Sequence, residues 1–253
     1  MKDIYFDNSA TTALCSEARN KMQEAMDCYG NPSSLHKYGA DAEKLLREAR
    51  ESVLQALGVR SSNAGALVFT SCGTEASALA LCGTARAKAR RTAHKIVITD
   101  SEHPSVENTA VSLEKEGFTV VRIPTKNGVL DEEALDAALD RDVFLLSLMM
   151  VNNETGARYA VEQAFRLAKM RNPDVITHCD AVQGFLKCHF TPTSLGADLI
   201  TLSAHKIHGP KGVGALYIDK KLLTRRAVVP VLYGGGQENG LRSGTENMIG
   251  ICG

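Results

Sequence analysis

Short apolar runs alternate along the chain with longer segments whose apolar residues recur every three or four positions. The apolar runs predict seven strands, at residues 66–70, 95–99, 118–123, 143–151, 175–179, 199–203 and 213–218. Strands that are apolar throughout and are separated by helices are typical of a mostly parallel sheet covered on both faces. The pattern therefore predicts a three-layer α/β/α fold around a seven-stranded sheet.

The segments with helical periodicity have recognisable ends. Ser16 is a candidate N-cap for a helix that runs to about Tyr29, and a longer helix from about Ala40 to Leu57 ends before Gly58. Further helices are predicted after residues 71–75 and after Pro104, and at residues 131–139 and about 161–170. No internal repeat or linker interrupts this alternation, so we expect residues 1–253 to form one domain.

Composition excludes several classes of protein. Lys and Arg number 29, as do Asp and Glu, so no net charge attracts the chain to nucleic acid or to a membrane surface. The N-terminus lacks the apolar stretch of a signal peptide, and no apolar run reaches the roughly 20 residues that span a bilayer. The seven scattered cysteines fit neither a disulfide framework nor a zinc site. We therefore expect a cytoplasmic protein without a metal.

Polar residues follow five of the predicted strands. They are Gly73 and Thr74; His103; Asn153; Asp180 and Gln183; and Ser203, His205 and Lys206. Each group alone has an ordinary explanation, such as a helix cap, a turn or a solvated lysine. The carboxyl ends of parallel strands, however, meet at one edge of the sheet, where ligands bind.

Together the five groups match what pyridoxal 5'-phosphate (PLP) requires of a protein. A lysine amine forms an imine with it, and an acid beside the ring nitrogen keeps that nitrogen protonated. An imidazole stacks on the ring or moves protons, and amides hold the ring oxygen. A helix N-terminus with a hydroxyl binds the phosphate.

Eight motifs carry a more specific resemblance. In order they are 5–12, 31–36, 70–76, 102–103, 152–156, 180–183, 203–206 and 242–246. This set resembles the NifS/IscS-type cysteine desulfurases, which are class V aminotransferase-like PLP enzymes of fold type I. Those enzymes convert L-cysteine to L-alanine and pass the sulfur, as a persulfide, to iron–sulfur or thiolation pathways through an acceptor such as a scaffold protein.

The resemblance implies a role for each matching residue. Lys206 forms the imine and later moves the Cα proton, with His103 stacked on the ring as a possible acid or base. Asp180 pairs with the ring nitrogen, while Gln183 and Asn153 hold the oxygen side. The phosphate ligands are Gly73, Thr74, Ser203 and His205. Thr245 matches a residue that reaches the phosphate of the partner subunit, which implies a homodimer.

Two departures from the family pattern qualify this prediction. Cys72 stands where the family usually has glycine, beside the phosphate loop. The family also continues beyond Gly253 into a smaller domain that carries the nucleophilic cysteine and the arginine for the substrate carboxylate. Residues 1 to about 15 would pack on that domain. We therefore expect the chain alone to bind PLP and exchange protons but to transfer sulfur poorly.

Three alternatives stay open at this point. The same fold supports selenocysteine lyase and other class V aminotransferase-like activities, which differ in their products. The chain could also have a non-catalytic role, as a degenerate or split chain that binds PLP or pairs with a separate small domain. The third alternative is a truncated or proteolysed form of an ordinary desulfurase.

Overall fold

The computed structural model describes residues 4–60 and 64–253, and most of its strands belong to one sheet. The strands are β1 (Gly65–Thr70), β2 (Lys95–Thr99), β3 (Thr119–Ile123), β4 (Thr125–Lys126), β5 (Val129–Leu130), β6 (Val143–Met149), β7 (Ile176–Asp180), β8 (Leu199–Ser203) and β9 (Gly214–Asp219). The seven longer ones form a sheet in the order β1-β9-β8-β7-β6-β2-β3. All seven predicted strands are thus confirmed, and the small β4–β5 hairpin was not predicted.

The direction of the strands brings the predicted polar groups to one edge. Strands β8, β7, β6, β2 and β3 are mutually parallel. Strand β9 is antiparallel to both of its neighbours, so β1 runs in the same direction as β8. Every residue of β6, β7 and β8 is buried, which explains why these strands are apolar on both faces. The carboxyl ends of six strands therefore share one edge.

Helices cover both faces of the sheet. They are α1 (Ser16–Met26), α2 (Lys37–Ala56), α3 (Gly73–Ala85), α4 (Pro104–Lys115), α5 (Glu132–Ala138), α6 (Val161–Arg171), α7 (Pro192–Leu195), α8 (Lys220–Thr224) and α9 (Met248–Cys252). One apolar cluster includes Leu146 and Phe165 of α6, and the other includes Ile96 and Leu113 of α4. The three-layer α/β/α prediction is confirmed.

Both ends of α1 differ from their predicted positions, whereas the end of α2 is as predicted. The N-cap of α1 is Cys15, whose Sγ accepts a hydrogen bond from the Ala18 N–H at 3.4 Å, so the choice of Ser16 was wrong by one residue. The helix also ends at Met26, not at Tyr29. Gly58 follows α2 with φ +76°, the left-handed conformation expected of a residue that terminates a helix.

Candidate active site

A cavity of about 490 Å³ opens at the edge where the carboxyl ends of the strands meet. Nine of the ten predicted site residues line it: Gly73, Thr74, His103, Asn153, Asp180, Gln183, Ser203, His205 and Lys206. Thr245 does not line it and is exposed. The cavity is also lined by residues that were not among the predicted site residues, namely Ser9, Ala10, Cys72, Ser105, Met149, Val151, Glu154 and Val182.

One end of the cavity has the donors of an anion site. Cys72 is the N-cap of α3, but its side chain makes no capping hydrogen bond to the first turn of this helix. The backbone N–H groups of this first turn have no hydrogen-bond acceptor within the helix, and they carry the positive end of the helix dipole. Cys72 itself has φ −173°, an extended conformation open to any residue. A side chain at this position therefore requires no strained backbone conformation.

Ser203 adds a hydroxyl to the same end. Its Oγ is buried and has no hydrogen-bond partner among residues 4–60 and 64–253. A Cβ added to Gly73 would stand 3.3 Å from the Ser203 Cβ and 3.1 Å from Val182 Cγ2. The absence of a side chain at Gly73 lets the helix N-terminus approach β8, so backbone donors and a hydroxyl face the same space.

Asp180 brings a carboxylate to the cavity from the end of β7. Its side chain is buried, and Oδ1 accepts a hydrogen bond from the Val182 N–H at 3.0 Å. Burial raises the pKa of Asp180, while the Val182 N–H, His103 and Lys206 partly oppose that rise. A cation placed beside this carboxylate would favour its charged form.

Lys206 ends the short turn Ala204–Lys206 that follows β8. Its Nζ donates hydrogen bonds to the carbonyl oxygen of Ala10, at 2.9 Å, and to that of Ser9. Burial lowers the pKa of Lys206, against the opposing charges of Asp7 and Asp180. A lowered pKa increases the fraction of uncharged amine at neutral pH, and the uncharged amine is the form that attacks an aldehyde.

The N-terminal segment forms the wall beside Lys206. The Thr12 N–H donates to the His205 carbonyl oxygen at 2.9 Å, and Thr11 Oγ1 lies 3.1 Å from His205 Nδ1. Gln183 Nε2 donates to the Ser9 carbonyl oxygen at 2.8 Å, so this amide already has a protein partner. Because the residues of this N-terminal segment lie far from Lys206 along the chain, the sequence contained no signal that they form a wall beside it.

His103 is the N-cap of α4, which defines its hydrogen bonding. Its Nδ1 accepts the Ser105 N–H at 3.1 Å, and the Ser105 hydroxyl lies 2.8 Å from the same nitrogen. Because Nδ1 serves as an acceptor for a backbone N–H, the neutral ring carries its proton on Nε2. The ring therefore offers a donor at Nε2 as long as it caps the helix.

Glu102, the neighbour of His103, is a partly buried acid that the sequence reasoning missed. Its Oε1 accepts hydrogen bonds from Thr99 Oγ1, at 2.8 Å, and from the Met149 N–H, at 3.0 Å. Oε2 is buried without a partner in the described part of the chain. Burial raises the pKa of Glu102 to about 8, and the charge of Asp180 adds to that rise. At neutral pH Glu102 is thus mainly uncharged.

The two asparagines after β6 have separate tasks. Asn152 is buried, and its Oδ1 accepts hydrogen bonds from the N–H groups of Glu154, at 3.0 Å, and Thr155, at 2.9 Å. It therefore holds the turn in shape. Asn153 lines the cavity instead.

Comparison with known proteins defines the family of this chain. Residues 4–253 match the family model described as "Aminotransferase class-V". The chain belongs to the class V aminotransferase family. A curated cysteine desulfurase from Trichormus azollae is 40% identical over 255 residues, a match that covers 100% of this chain and 61% of the relative. The chain thus spans about three fifths of the length of that relative.

Two solved structures share the fold of this chain. A NifS-like protein superposes with a TM-score of 0.93 at 40% identity, covering 99% of this chain and 67% of that one. A structure described as "SspA in complex with cysteine" gives a TM-score of 0.90 at 32% identity, covering 99% and 70%. The resemblance seen in the eight motifs is confirmed.

Members of the class V family use PLP. The cavity fits that cofactor, because it combines an uncapped helix N-terminus, the unpartnered Ser203 hydroxyl, a buried carboxylate and a lysine. Among the described residues, no group of His, Cys, Asp and Glu side chains could hold a metal ion. Within the same ranges, no helix is both long and apolar enough to cross a bilayer.

Proposed function

We propose that this chain binds PLP at Lys206 and forms the cofactor-binding part of a cysteine desulfurase. The observation that carries the proposal is that one cavity is lined by Lys206, Asp180, His103 and the uncapped N-terminus of α3. Similarity to curated cysteine desulfurases along the whole chain supports it. We further propose that residues 1–253 are the PLP-binding large domain of such an enzyme.

Each residue has a defined task in this proposal. PLP, when bound, supplies an electron sink for the bond electrons at the substrate Cα. The N–H groups of Gly73 and Thr74, with the Ser203 and Thr74 hydroxyls and the His205 ring, bind the phosphate. Asp180 stabilises a proton on the ring nitrogen, and Asn153 and Gln183 bind the oxygen side of the ring.

Proton transfer falls to Lys206 and His103. Nζ of Lys206, whose pKa is lowered by burial, accepts the proton from the substrate Cα and returns it. His103 would hold the ring of the cofactor and, with its proton on Nε2, would act first as a hydrogen-bond donor. Glu102 stays neutral at pH 7, so Asp180 supplies the negative charge opposite the ring nitrogen.

The proposed substrate is L-cysteine, the molecule named with the structurally similar SspA. In the overall reaction a thiolate attacks the substrate Sγ, the Cβ–Sγ bond breaks, and its electrons return to carbon with a proton. The products are L-alanine and a persulfide, which passes sulfur to an acceptor such as a scaffold protein for iron–sulfur assembly. A selenocysteine lyase would use the same residues on a selenium substrate.

The proposal includes a homodimer in a reducing compartment. Thr245 is exposed and outside the cavity of its own chain, which suits a residue that serves the phosphate site of a second copy. All seven cysteines are free thiols, as expected in the cytoplasm.

The test is the fate of L-cysteine with the PLP-loaded chain in D₂O. We expect deuterium to enter at Cα, which NMR detects, with little sulfide released in the presence of a reductant. Pyruvate as the main product would contradict the proposal and would indicate a β-elimination activity. Alanine with rapid sulfide release would support desulfuration while refuting the expectation that the thiol lies outside this chain. Absence of deuterium incorporation in a chain that binds PLP would refute the assigned chemistry.

A further inference from the structure

Four polar side chains form a continuous row of hydrogen bonds between the sheet and α3. Ser147 Oγ lies 2.7 Å from His178 Nδ1, and His178 Nε2 lies 2.9 Å from Thr201 Oγ1. The Ser77 hydroxyl donates to Thr201 Oγ1 at 3.3 Å. All four residues have no exposed surface. We call this row the His178 network.

Each member of the His178 network belongs to an element that also contributes to the cavity. On the strands, each member stands two residues before a residue that lines the cavity: Ser147 before Met149 on β6, His178 before Asp180 on β7, and Thr201 before Ser203 on β8. On α3, Ser77 stands one helical turn after Gly73. Side chains two residues apart on a strand share a face of the sheet. The network therefore lies on the same face as the cavity residues and immediately next to them.

His178 suits the centre of this network because it is neutral. Burial lowers the pKa of His178 to about 3, so the ring stays uncharged at physiological pH. A neutral imidazole has one donor nitrogen and one acceptor nitrogen, which matches two hydroxyl neighbours. It joins three strands without adding a charge close to Asp180.

The geometry points to a positioning role, which rests on the proposed PLP site. We propose that the His178 network fixes the spacing between Asp180, Ser203 and the N-terminus of α3, so that the ring nitrogen and the phosphate are bound together. Ser77 and Thr201 bind the helix to β8 one turn beyond the close contact of Gly73 with Ser203. Loss of that link frees the helix to move relative to the strand ends.

The experiment replaces Thr201 and uses Thr177 as its matched control. Thr201→Val keeps the shape of the side chain but removes the hydroxyl that joins His178 to Ser77. Thr177 on β7 is equally buried, and its hydroxyl donates to the Gly196 carbonyl oxygen at 2.7 Å, on the opposite face of the strand. Thr177→Val therefore removes a comparable buried hydrogen bond away from the cavity. Thr201→Ser restores the network hydroxyl.

Two quantities are measured for each variant: the Kd for PLP from its absorption spectrum, and amide hydrogen exchange at residues 73–77 without cofactor. For Thr201→Val we expect a Kd raised about tenfold, because buried polar partners lose their hydrogen bonds, together with faster exchange at residues 73–77. Thr177→Val and Thr201→Ser should leave both quantities near those of the unsubstituted chain.

The outcomes separate this inference from the proposed function. Equal Kd values and equal exchange for Thr201→Val and Thr177→Val would refute the positioning role while leaving PLP binding intact. If the unsubstituted chain does not bind PLP, the proposed function fails and the positioning role fails with it. In that case faster exchange in Thr201→Val would show only that the network stabilises α3.

Discussion

A Cβ added to Gly214 would stand 2.3 Å from the backbone carbonyl carbon of Cys72. Gly214 is the first residue of β9, and Cys72 is the N-cap of α3, so the missing side chain lets the turn that we propose binds phosphate lie directly on the strand. The neighbours are backbone atoms, including Gly73 N at 2.7 Å, which cannot rotate away. A glycine that is not itself a predicted phosphate ligand thus defines where the turn at residues 72–73 lies.

Gly214→Ala should weaken PLP binding. The added methyl group displaces the turn at residues 72–73, and overpacking of this kind costs about 1–3 kcal/mol. The measurement is the Kd for PLP by spectral titration. As a control, Gly196→Ala strains a left-handed residue (φ +67°) that has no neighbour closer than 3.9 Å and lies outside the cavity. It should lower stability and leave the Kd unchanged. An unchanged Kd in Gly214→Ala would contradict the account of the turn.

Replacing Asp180 by asparagine should slow proton exchange at the substrate Cα. The amide keeps the shape of the carboxylate but lacks its charge, so a protonated ring nitrogen loses its partner. We expect a decrease on the order of a hundredfold, as for other single electrostatic contacts in active sites. The measurement is deuterium incorporation into L-cysteine by NMR. Asp174→Asn, at an exposed position, is the matched control. Equal rates in the two variants would contradict the role of Asp180.

Glu102 should make stability depend on pH. The folded chain holds this proton up to about pH 8, whereas the unfolded chain releases it near the ordinary pKa of 4.5. The stabilisation is therefore complete below about pH 4.5 and is lost as the pH rises through about 8. Urea unfolding of the cofactor-free chain at pH 5, 7 and 9 measures this loss.

Two variants isolate the contribution of Glu102 to that pH dependence. Glu102→Gln cannot titrate, so its free energy of unfolding should fall less between pH 5 and 9 than that of the unsubstituted chain. Glu154→Gln, an exposed residue of the same cavity, should keep the original dependence. Parallel pH profiles for Glu102→Gln and the unsubstituted chain would show that Glu102 is ionised at neutral pH.

Complementation between two defective chains tests the role proposed for Thr245. Lys206→Ala and Thr245→Ala should each bind PLP poorly alone. If Thr245 serves the partner subunit, a mixed dimer has one site with Lys206 from one chain and Thr245 from the other. Each mixed dimer should therefore bind PLP at one of its two sites, so a 1:1 mixture that pairs at random should recover about a quarter of the binding capacity, measured as reducible PLP per dimer. A mixture that binds no more than the sum of its parts would place Thr245 outside the partner's site.

Much of this architecture was predictable because the strands are buried on both faces. Strands such as β6 and β8 are continuous apolar runs, and the polar residues after them stand out against that background. Nine residues that line the cavity could be predicted because each ends or follows a strand, or begins a helix. The ends of short elements were less predictable: Cys15, not Ser16, caps α1, since a thiol is a poor cap by residue type.

Other features depend on contacts that the sequence does not reveal. Ser147, His178 and Thr201 each look like an isolated polar residue within an apolar run. Only the register of β6, β7 and β8 brings them into one network. Ser9 and Ala10 reach Lys206 across nearly 200 residues of sequence. Glu102 had one signal, its place beside His103 in a motif, but its raised pKa follows from burial in the folded chain and from the charge of Asp180.

The central claim is that Lys206 attaches PLP, and reduction of the loaded chain with borohydride tests it most directly. The chain is mixed with PLP, its visible spectrum is recorded, and the reduced product is digested and mapped by mass spectrometry. We predict an absorption band of a protein-bound imine and one pyridoxyl group per chain on Lys206, both absent from Lys206→Ala. Label scattered over surface lysines, or unchanged in Lys206→Ala, would contradict the account.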